Sequence, residues 1–247
     1  MRKVILIRLT FPSWFKAIFI MDLYSKKDKS TAQKIVLIVL EIVILWVSYW
    51  ILFDGGYQQM FSSSAPRHGN DLRQIILFAF NLIVFFRICI TIFYLLHRHM
   101  PWQEAFSIPF AFAIYYVGFA LLGYKTERPF DFIDAIAGVL FITGSYLNTG
   151  SELMRNKWKK APENKRKLYT TGLFKYSMHI NYFGDILWVT AYAILTRNWY
   201  SCFIPAFIFS FFAFYNAPKL DKYLASKYGK QFDEYRKRTK KLIPFIY

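Results

Sequence analysis

The sequence contains few cysteines and few acidic residues. Its two cysteines, Cys89 and Cys202, both lie in apolar segments, which argues against a structural disulfide and indicates small buried side chains. Only 15 acidic residues oppose 32 lysines and arginines, so the formal net charge is +17. The 4 histidines, at positions 68, 97, 99 and 179, lack metal-ligand spacing, and we therefore predict no metal site.

The sequence also lacks the short glycine-rich motifs of common nucleotide-binding and hydrolase folds. GxGxxG, Walker A and GxSxG are all absent. A nucleotide bound by this chain is therefore not held by a Rossmann turn. Internal repeats, low-complexity segments and linkers are absent too, and we predict one integral membrane domain over residues 1–247.

Long apolar runs are what the sequence has instead. Hydrophobic residues make up 55% of the chain and aromatic residues 21%, and a bilayer core needs about 20 apolar residues per helix. Such runs occupy residues 35–53, 74–96, 105–123, 132–147 and 200–215, with a shorter one at 183–196. The sequence therefore predicts an all-α, polytopic transmembrane helical bundle in contact with membrane lipids, with six or seven spans.

Residues 1–30 leave the number of spans open. Segment 4–20 is apolar but carries Arg8, Pro12 and Lys16, and no small-residue cleavage site follows it. Because Arg8 and Lys16 would lie near one face of a helix, an interfacial helix is favoured over a further span. Six spans then place both ends in the cytosol, and a seventh would place the N-terminus outside.

Basic residues cluster in two stretches that flank apolar segments. Residues 155–175 hold eight basic residues and one acidic residue, and residues 217–241 hold nine and three. The positive-inside rule places both stretches in the cytosol, so anionic lipid or a phosphorylated cofactor is a better partner for them than nucleic acid. We expect a bacterial inner-membrane protein with a cytosolic C-terminus, and an endoplasmic reticulum location stays open.

The second basic stretch also has helical periodicity. Leu220, Tyr223 and Leu224 fall on one face with lysines between them, which predicts an amphipathic surface helix that starts at Pro218 and stops near Gly229.

Two ionisable residues, Glu41 and Arg87, lie in the middle of predicted spans. A charge near the bilayer centre costs several kcal/mol unless it is paired or hydrated. Their opposite signs at similar depth predict that they pair. The pair would either lock two helices together or line a substrate cavity.

Polar residues converge where two spans meet the cytosol. Asn148, Ser151, Glu152 and Arg155 share one helical face. Further along, the stretch LFKYSMHINYFGDILW (173–188) brings polar groups to the start of an apolar segment. Side-chain amides such as these suit a ribose, a carboxamide or a phosphate. Simple solvation of the helix ends is the alternative interpretation.

Three stretches resemble the steroid 5-alpha-reductase family of membrane oxidoreductases and its bacterial relatives. They are GSYLNTGSE (144–152), TGLFKYSMHINYFGD (171–185) and LIPFIY (242–247). The resemblance covers residues 130–247, and the first half only as a hydrophobic pattern. A wider superfamily includes isoprenylcysteine carboxyl methyltransferases and phospholipid methyltransferases, which carry a histidine–proline pair where this chain has His179–Ile180. That difference favours the reductase branch.

The resemblance implies that residues 130–247 form a cofactor-binding half that holds NADPH at the cytosolic side. The residues that match the family's cofactor contacts are Asn148, Glu152, Tyr176, Asn181, Asp185 and Tyr223, with His179 beside them. The basic residues expected to neutralise the cofactor phosphates are Arg155, Lys159 and Arg166.

In the family a tyrosine and a glutamate polarise the substrate carbonyl. Phe86 falls where that tyrosine would lie, so the candidate catalytic acids here are Glu41, Tyr94 and Glu104.

The favoured hypothesis is a membrane reductase that uses NADPH on the C=C bond of a lipophilic enone, steroid-like or isoprenoid, as 3-oxo-5-alpha-steroid 4-dehydrogenases do. The first alternative is a membrane methyltransferase that uses S-adenosylmethionine on a lipid or a prenylcysteine. The second is a non-catalytic lipid-binding membrane protein.

Overall fold

A computed structural model of the chain describes residues 30–61 and 70–247, so the predicted helix at 4–20 lies outside the described residues. The helices, in chain order, are α1 (Thr31–Phe53), α2 (Gly56–Phe61), α3 (Asp71–Ile90), α4 (Trp102–Ala113), α5 (Phe119–Gly123), α6 (Phe132–Ser145), α7 (Ser151–Lys160), α8 (Ile180–Thr196), α9 (Phe203–Phe211), α10 (Ala217–Tyr228) and α11 (Lys230–Arg238).

Short π-helical turns make several of these helices continuous. The turn Thr91–Leu95 extends α3, Ile114–Gly118 joins α4 to α5, Tyr146–Gly150 joins α6 to α7, and Phe212–Asn216 joins α9 to α10. A π turn holds an extra residue and is often found at functional sites. Three of these four turns contribute residues to the site described below.

The predicted all-α polytopic bundle is confirmed. Five continuous helices in the described part of the chain are long and apolar enough to cross a membrane: 31–53, 71–95, 102–123, 132–160 and 199–228. Helix α8 has 17 residues and packs inside the bundle against α3, α5, α6 and α9.

The predicted start of the amphipathic surface helix needs correction. Helix α10 does end at Gly229, but it continues the preceding span instead of starting separately at Pro218. Pro218 is the second residue of α10, two residues after the end of the π turn.

Helix α1 shows how the bundle separates lipid from interior. Its buried residues recur every three or four positions and so form one face: Lys34, Leu37, Glu41, Leu45, Ser48 and Ile51. The remaining faces carry exposed apolar side chains such as Val39 and Trp46. A lipid-facing surface of this kind is apolar on the outside, so the polar residues of the helix are left to the interior.

The bundle has two ends. One end contains the start of α1, the loop 155–175 and residues 217–247. Most of the lysines and arginines lie there, and we call it the basic end. At the opposite end, buried Arg73 holds Asp134 through two hydrogen bonds of 2.7 and 3.2 Å. Arg197, at the end of α8, donates to Asp134 and Asp131, and the bond to Asp134 raises the pKa of the guanidinium. These ion pairs tie α3, α6 and α8 together.

Candidate active site

The site begins where α6 and α8 touch through their backbones. A Cβ atom on Gly184 would lie 2.5 Å from the backbone nitrogen of Asn148 and 2.6 Å from the carbonyl oxygen of Gly144. Only glycine allows so close an approach. The contact brings Asn148 to the first turn of α8, where its side-chain amide donates to the carbonyl oxygen of Asn181 over 3.2 Å.

Arg87 of α3 lies in the middle of this junction. Its guanidinium donates to Ser145 (3.0 Å), Asn148 (2.6 Å) and Thr149 (2.9 Å), all on the end of α6 or its π turn. On the α8 side, the Arg87 Nη2 atom lies 3.9 Å from the Asp185 carboxylate, and the guanidinium stands over the ring of Trp188. We call these residues the Arg87 cluster. The cluster joins three helices through one cation.

The predicted pair between Glu41 and Arg87 is wrong. The hydrogen bonds and the carboxylate that Arg87 needs come from the polar ends of α6 and α8, which the contact at Gly184 brings together. Asp185, not Glu41, is the carboxylate that faces it.

Glu41 instead faces Tyr116, in the π turn between α4 and α5. Both side chains are 0% exposed. The carboxylate and the hydroxyl are close enough to interact, but no well-formed hydrogen bond to a described residue is made by either Glu41 oxygen or by the Tyr116 hydroxyl. Leaving a buried polar group unsatisfied costs about 1–3 kcal/mol. A catalytic role or a bound water, ion or ligand accounts for such groups in folded proteins.

A chain of buried polar groups fixes the backbone at Tyr116. The Tyr192 hydroxyl donates to Asn81 (2.8 Å), the Asn81 amide donates to Ser48 (2.9 Å), and the Ser48 hydroxyl donates to the carbonyl oxygen of Tyr116 (2.9 Å). This chain crosses from α8 through α3 to α1. It satisfies a carbonyl of the π turn and so holds Tyr116 opposite Glu41.

Towards the basic end, α7 presents a second set of unsatisfied groups. Glu152 pairs through one oxygen with Arg155, whose guanidinium lies over the ring of Phe174. The other oxygen of Glu152 and the side-chain nitrogen of Asn156, one helical turn apart, are buried and make no hydrogen bond to the described residues. Glu152 also lies close enough to Asp185 to act on it electrostatically, which connects this set to the Arg87 cluster.

His179 is held inside the protein. Its side chain is 1% exposed, and its Nε2 atom lies 2.8 Å from the Asp221 carboxylate of α10. Its ring stacks on Tyr182, which stacks on Phe212 in the π turn before α10. His179 thus connects the start of α8 to α10.

The other predicted cofactor residues lie at the rim of the basic end. The amine of Lys159 donates to the hydroxyl of Tyr228 over 2.8 Å. Arg166 is exposed in the loop after α7, Tyr176 is 40% exposed before α8, and Tyr223 stands on α10. Among the described residues, Lys159 therefore binds α10 and not Asn148 or the Arg87 cluster.

Two of the candidate catalytic acids have partners at the basic end. The Tyr94 hydroxyl accepts a 3.0 Å hydrogen bond from Lys160, and Glu104 forms a 2.8 Å ion pair with Arg98. Glu41 lies deeper in the bundle and alone of the three has both carboxylate oxygens unsatisfied among the described residues.

Sequence reasoning missed Tyr116, Asn156 and Asp221. Asn156 continues the i, i+4 spacing of Asn148 and Glu152, so that pattern could have identified it. Tyr116 is one of 18 tyrosines and lies in an aromatic helix without local distinction.

Most of the chain is similar to known proteins. Residues 11–239 match the family described as "Protein of unknown function (DUF1295)". Mouse 3-oxo-5-alpha-steroid 4-dehydrogenase 2 is 32% identical over 124 residues, which are 50% of this chain and 47% of the mouse protein. The chain therefore spans about half the length of that relative. Steroid 5-alpha-reductase DET2 of Gossypium hirsutum is 23% identical over 97% of this chain and 93% of its own.

A Delta(14)-sterol reductase of Schizosaccharomyces pombe is 27% identical over 42% of this chain and 28% of its own length. The relatives thus include reductases of more than one sterol or steroid type.

Proposed function

The chain belongs to the DUF1295 family and is steroid 5-alpha-reductase-like, and on this premise we propose that it is an integral membrane reductase that uses NADPH. The proposed reaction reduces the C=C bond of a lipophilic enone, steroid-like or isoprenoid. The basic end faces the cytosol in this proposal, where the cofactor is available.

The residues between α7 and α8 fit NADPH. The unsatisfied oxygen of Glu152 can accept a hydrogen bond from a ribose hydroxyl, and the unsatisfied amide of Asn156 can donate one to a phosphate or a carboxamide. Arg155, Lys159 and Arg166 supply positive charge for the phosphates. Asn181, partly exposed on the first turn of α8, completes the proposed contacts.

Glu41 and Tyr116 carry the proposed chemistry of the substrate. The Tyr116 hydroxyl donates a hydrogen bond to the carbonyl oxygen of the enone, which draws electron density away from the double bond. Glu41, beside it, orients that hydroxyl and can hold a proton. When bound, NADPH supplies the hydride. The buried Ser48–Asn81–Tyr192 chain keeps Tyr116 in place throughout.

The observation that carries this proposal is the Glu41–Tyr116 pair. An acid and a phenol are fully buried together without a well-formed hydrogen bond, and Arg87 acts electrostatically both on Tyr116 and on Asp185 of the proposed cofactor side. Unpartnered polar groups inside a membrane bundle are costly, so a ligand that completes them explains their retention.

Ligand-dependent stability tests the cofactor. Detergent-purified protein is unfolded thermally with NADPH, with NADH and with S-adenosylmethionine. A specific ligand at about 100 times its dissociation constant stabilises by about 2.7 kcal/mol. Asn181→Ala should lose the NADPH shift, while Gln103→Ala, an exposed amide at the same end, should keep it. A shift with S-adenosylmethionine alone would overturn the proposal in favour of a methyltransferase.

Turnover tests the substrate site. Oxidation of NADPH is followed with progesterone as the probe enone and, in parallel, with an isoprenoid enone. Tyr116→Phe removes one oxygen atom and should abolish turnover while leaving the NADPH-induced stability shift unchanged. Full turnover by Tyr116→Phe would exclude the assigned acid.

A further inference from the structure

The C-terminal segment is bound directly to the start of α8. The amides of Met178 and His179 donate to the carbonyl oxygens of Lys240 (2.8 Å) and Lys241 (3.0 Å), so a short parallel bridge precedes the helix. The Ser177 hydroxyl adds hydrogen bonds to the carbonyl oxygens of Lys241 and Leu242.

The Asp221 carboxylate then connects the side chains of His179 and Lys241, one from each side of this bridge. Oδ1 of Asp221 lies 2.8 Å from His179 and Oδ2 lies 3.7 Å from the amine of Lys241. Asp221 is itself 9% exposed. We call His179, Asp221 and Lys241 the tail lock. It joins α10, the start of α8 and the C-terminal segment at a single point.

Helix α11 reinforces this attachment. The Tyr235 hydroxyl donates to the carbonyl oxygen of Phe174 over 2.6 Å, and burial raises the pKa of this phenol, so it remains a donor. Phe232 and Met178 pack against Tyr235 in a small buried cluster. The buried residues of this segment, Phe174, Ser177, Met178 and His179, therefore each contact residues from the C-terminal part of the chain.

Asn181 lies two residues after His179, and its carbonyl oxygen accepts a hydrogen bond from the Asn148 side-chain amide. A shift of His179 would therefore displace Asn181 and the first turn of α8 with it. The geometry points to the tail lock as a positioning device: we propose that docking of the C-terminal segment builds the cofactor site and that NADPH binding and tail docking strengthen each other. This inference rests on the proposed use of NADPH.

The effect of removing the Asp221 charge on NADPH affinity distinguishes a positioning role of the tail lock from long-range electrostatics, because the two predict changes of opposite sign. Asp221→Asn keeps an acceptor for His179 but removes a negative charge beside a site proposed to bind a polyanion. Long-range Coulomb attraction alone would then tighten NADPH binding. Loss of the ion pair with Lys241, and with it the position of Asn181, should instead weaken NADPH binding severalfold, because a partly exposed ion pair is worth up to about 1 kcal/mol.

Adjacent lysines supply a matched control. Lys241 faces Asp221, whereas Lys240 is exposed. Lys241→Gln should weaken NADPH binding severalfold and Lys240→Gln should not, although both remove one positive charge. The double variant of Asp221→Asn and Lys241→Gln should lose no more affinity than the more affected single variant, since the two changes break one interaction.

The experiment measures the NADPH dissociation constant of each full-length variant by calorimetry, with hydrogen exchange at the Met178 and His179 amides. We expect NADPH to slow exchange at both amides in the wild type and less in Asp221→Asn. Equal affinities for the Lys240 and Lys241 variants, or tighter binding by Asp221→Asn, would overturn the tail lock alone. No NADPH binding by the wild type would overturn the proposed function, and the coupling with it.

Discussion

Substituting alanine for Gly184 tests the contact on which the whole site depends. The new Cβ atom would lie 2.5 Å from the Asn148 nitrogen and 2.6 Å from the Gly144 oxygen. Both are backbone atoms, so they cannot move aside as the end of a side chain can. Restoring ordinary contact requires α6 and α8 to separate by about 1 Å, and overpacking of this kind typically costs about 1–3 kcal/mol or more.

Alanine also favours the helix over glycine by about 1 kcal/mol, which partly offsets that cost. We therefore expect Gly184→Ala to lower the free energy of unfolding by about 1 kcal/mol net, and so to be about 2 kcal/mol less stable than a glycine-to-alanine change that meets no contact. The separation should also weaken the hydrogen bond between Asn148 and Asn181 and so reduce the NADPH-induced stability shift.

Gly138 provides the matched control, because it stands on α6 and a Cβ atom added to it would meet nothing within 4 Å. Gly138→Ala should be neutral or stabilising by up to about 1 kcal/mol. Unfolding is measured in mixed micelles with increasing denaturing detergent. If Gly184→Ala were as stable as Gly138→Ala, the close approach of α6 and α8 would be refuted.

Two further predictions concern buried charges. Asp134→Asn should lower the free energy of unfolding by about 3 kcal/mol, since it leaves the buried Arg73 guanidinium without its carboxylate. Asp131→Asn should cost much less, because that side chain is 47% exposed. Equal losses of the two variants in thermal unfolding would contradict this ranking. Glu41→Leu should raise the free energy of unfolding by about 1 kcal/mol while abolishing enone reduction, because an unsatisfied buried carboxylate is removed; a large loss of stability would show that Glu41 has a structural partner.

The apolar pattern of the sequence predicted most of the fold. Spans separated by loops with biased charge leave little choice of topology once a bilayer is assumed, and the predicted runs fall on the observed helices. The ends were less predictable. The spans that end at Lys160 and Tyr228 extend beyond the apolar runs, because their π turns carry each helix on into a polar segment without a break in the helix.

The candidate site was predictable in part. Asn148, Glu152, Asn181 and Asp185 stand out because polar residues are rare at the start or end of an apolar run. Their neighbour Arg87 was assigned to the wrong partner, since similar depth in the membrane does not determine which helices are adjacent.

The sequence by itself determined that the chain is a helical membrane protein with a basic end and a polar junction near residues 148–185. These properties follow from hydropathy, charge and local spacing, which need no knowledge of neighbours. Only the tertiary structure decided that Arg87 meets Asp185, that Glu41 meets Tyr116, and that the C-terminal segment supports His179. Each of these pairs joins distant parts of the chain, which hydropathy and charge do not bring together. The partners of Arg87, for example, depend on the backbone contact between Gly144 and Gly184.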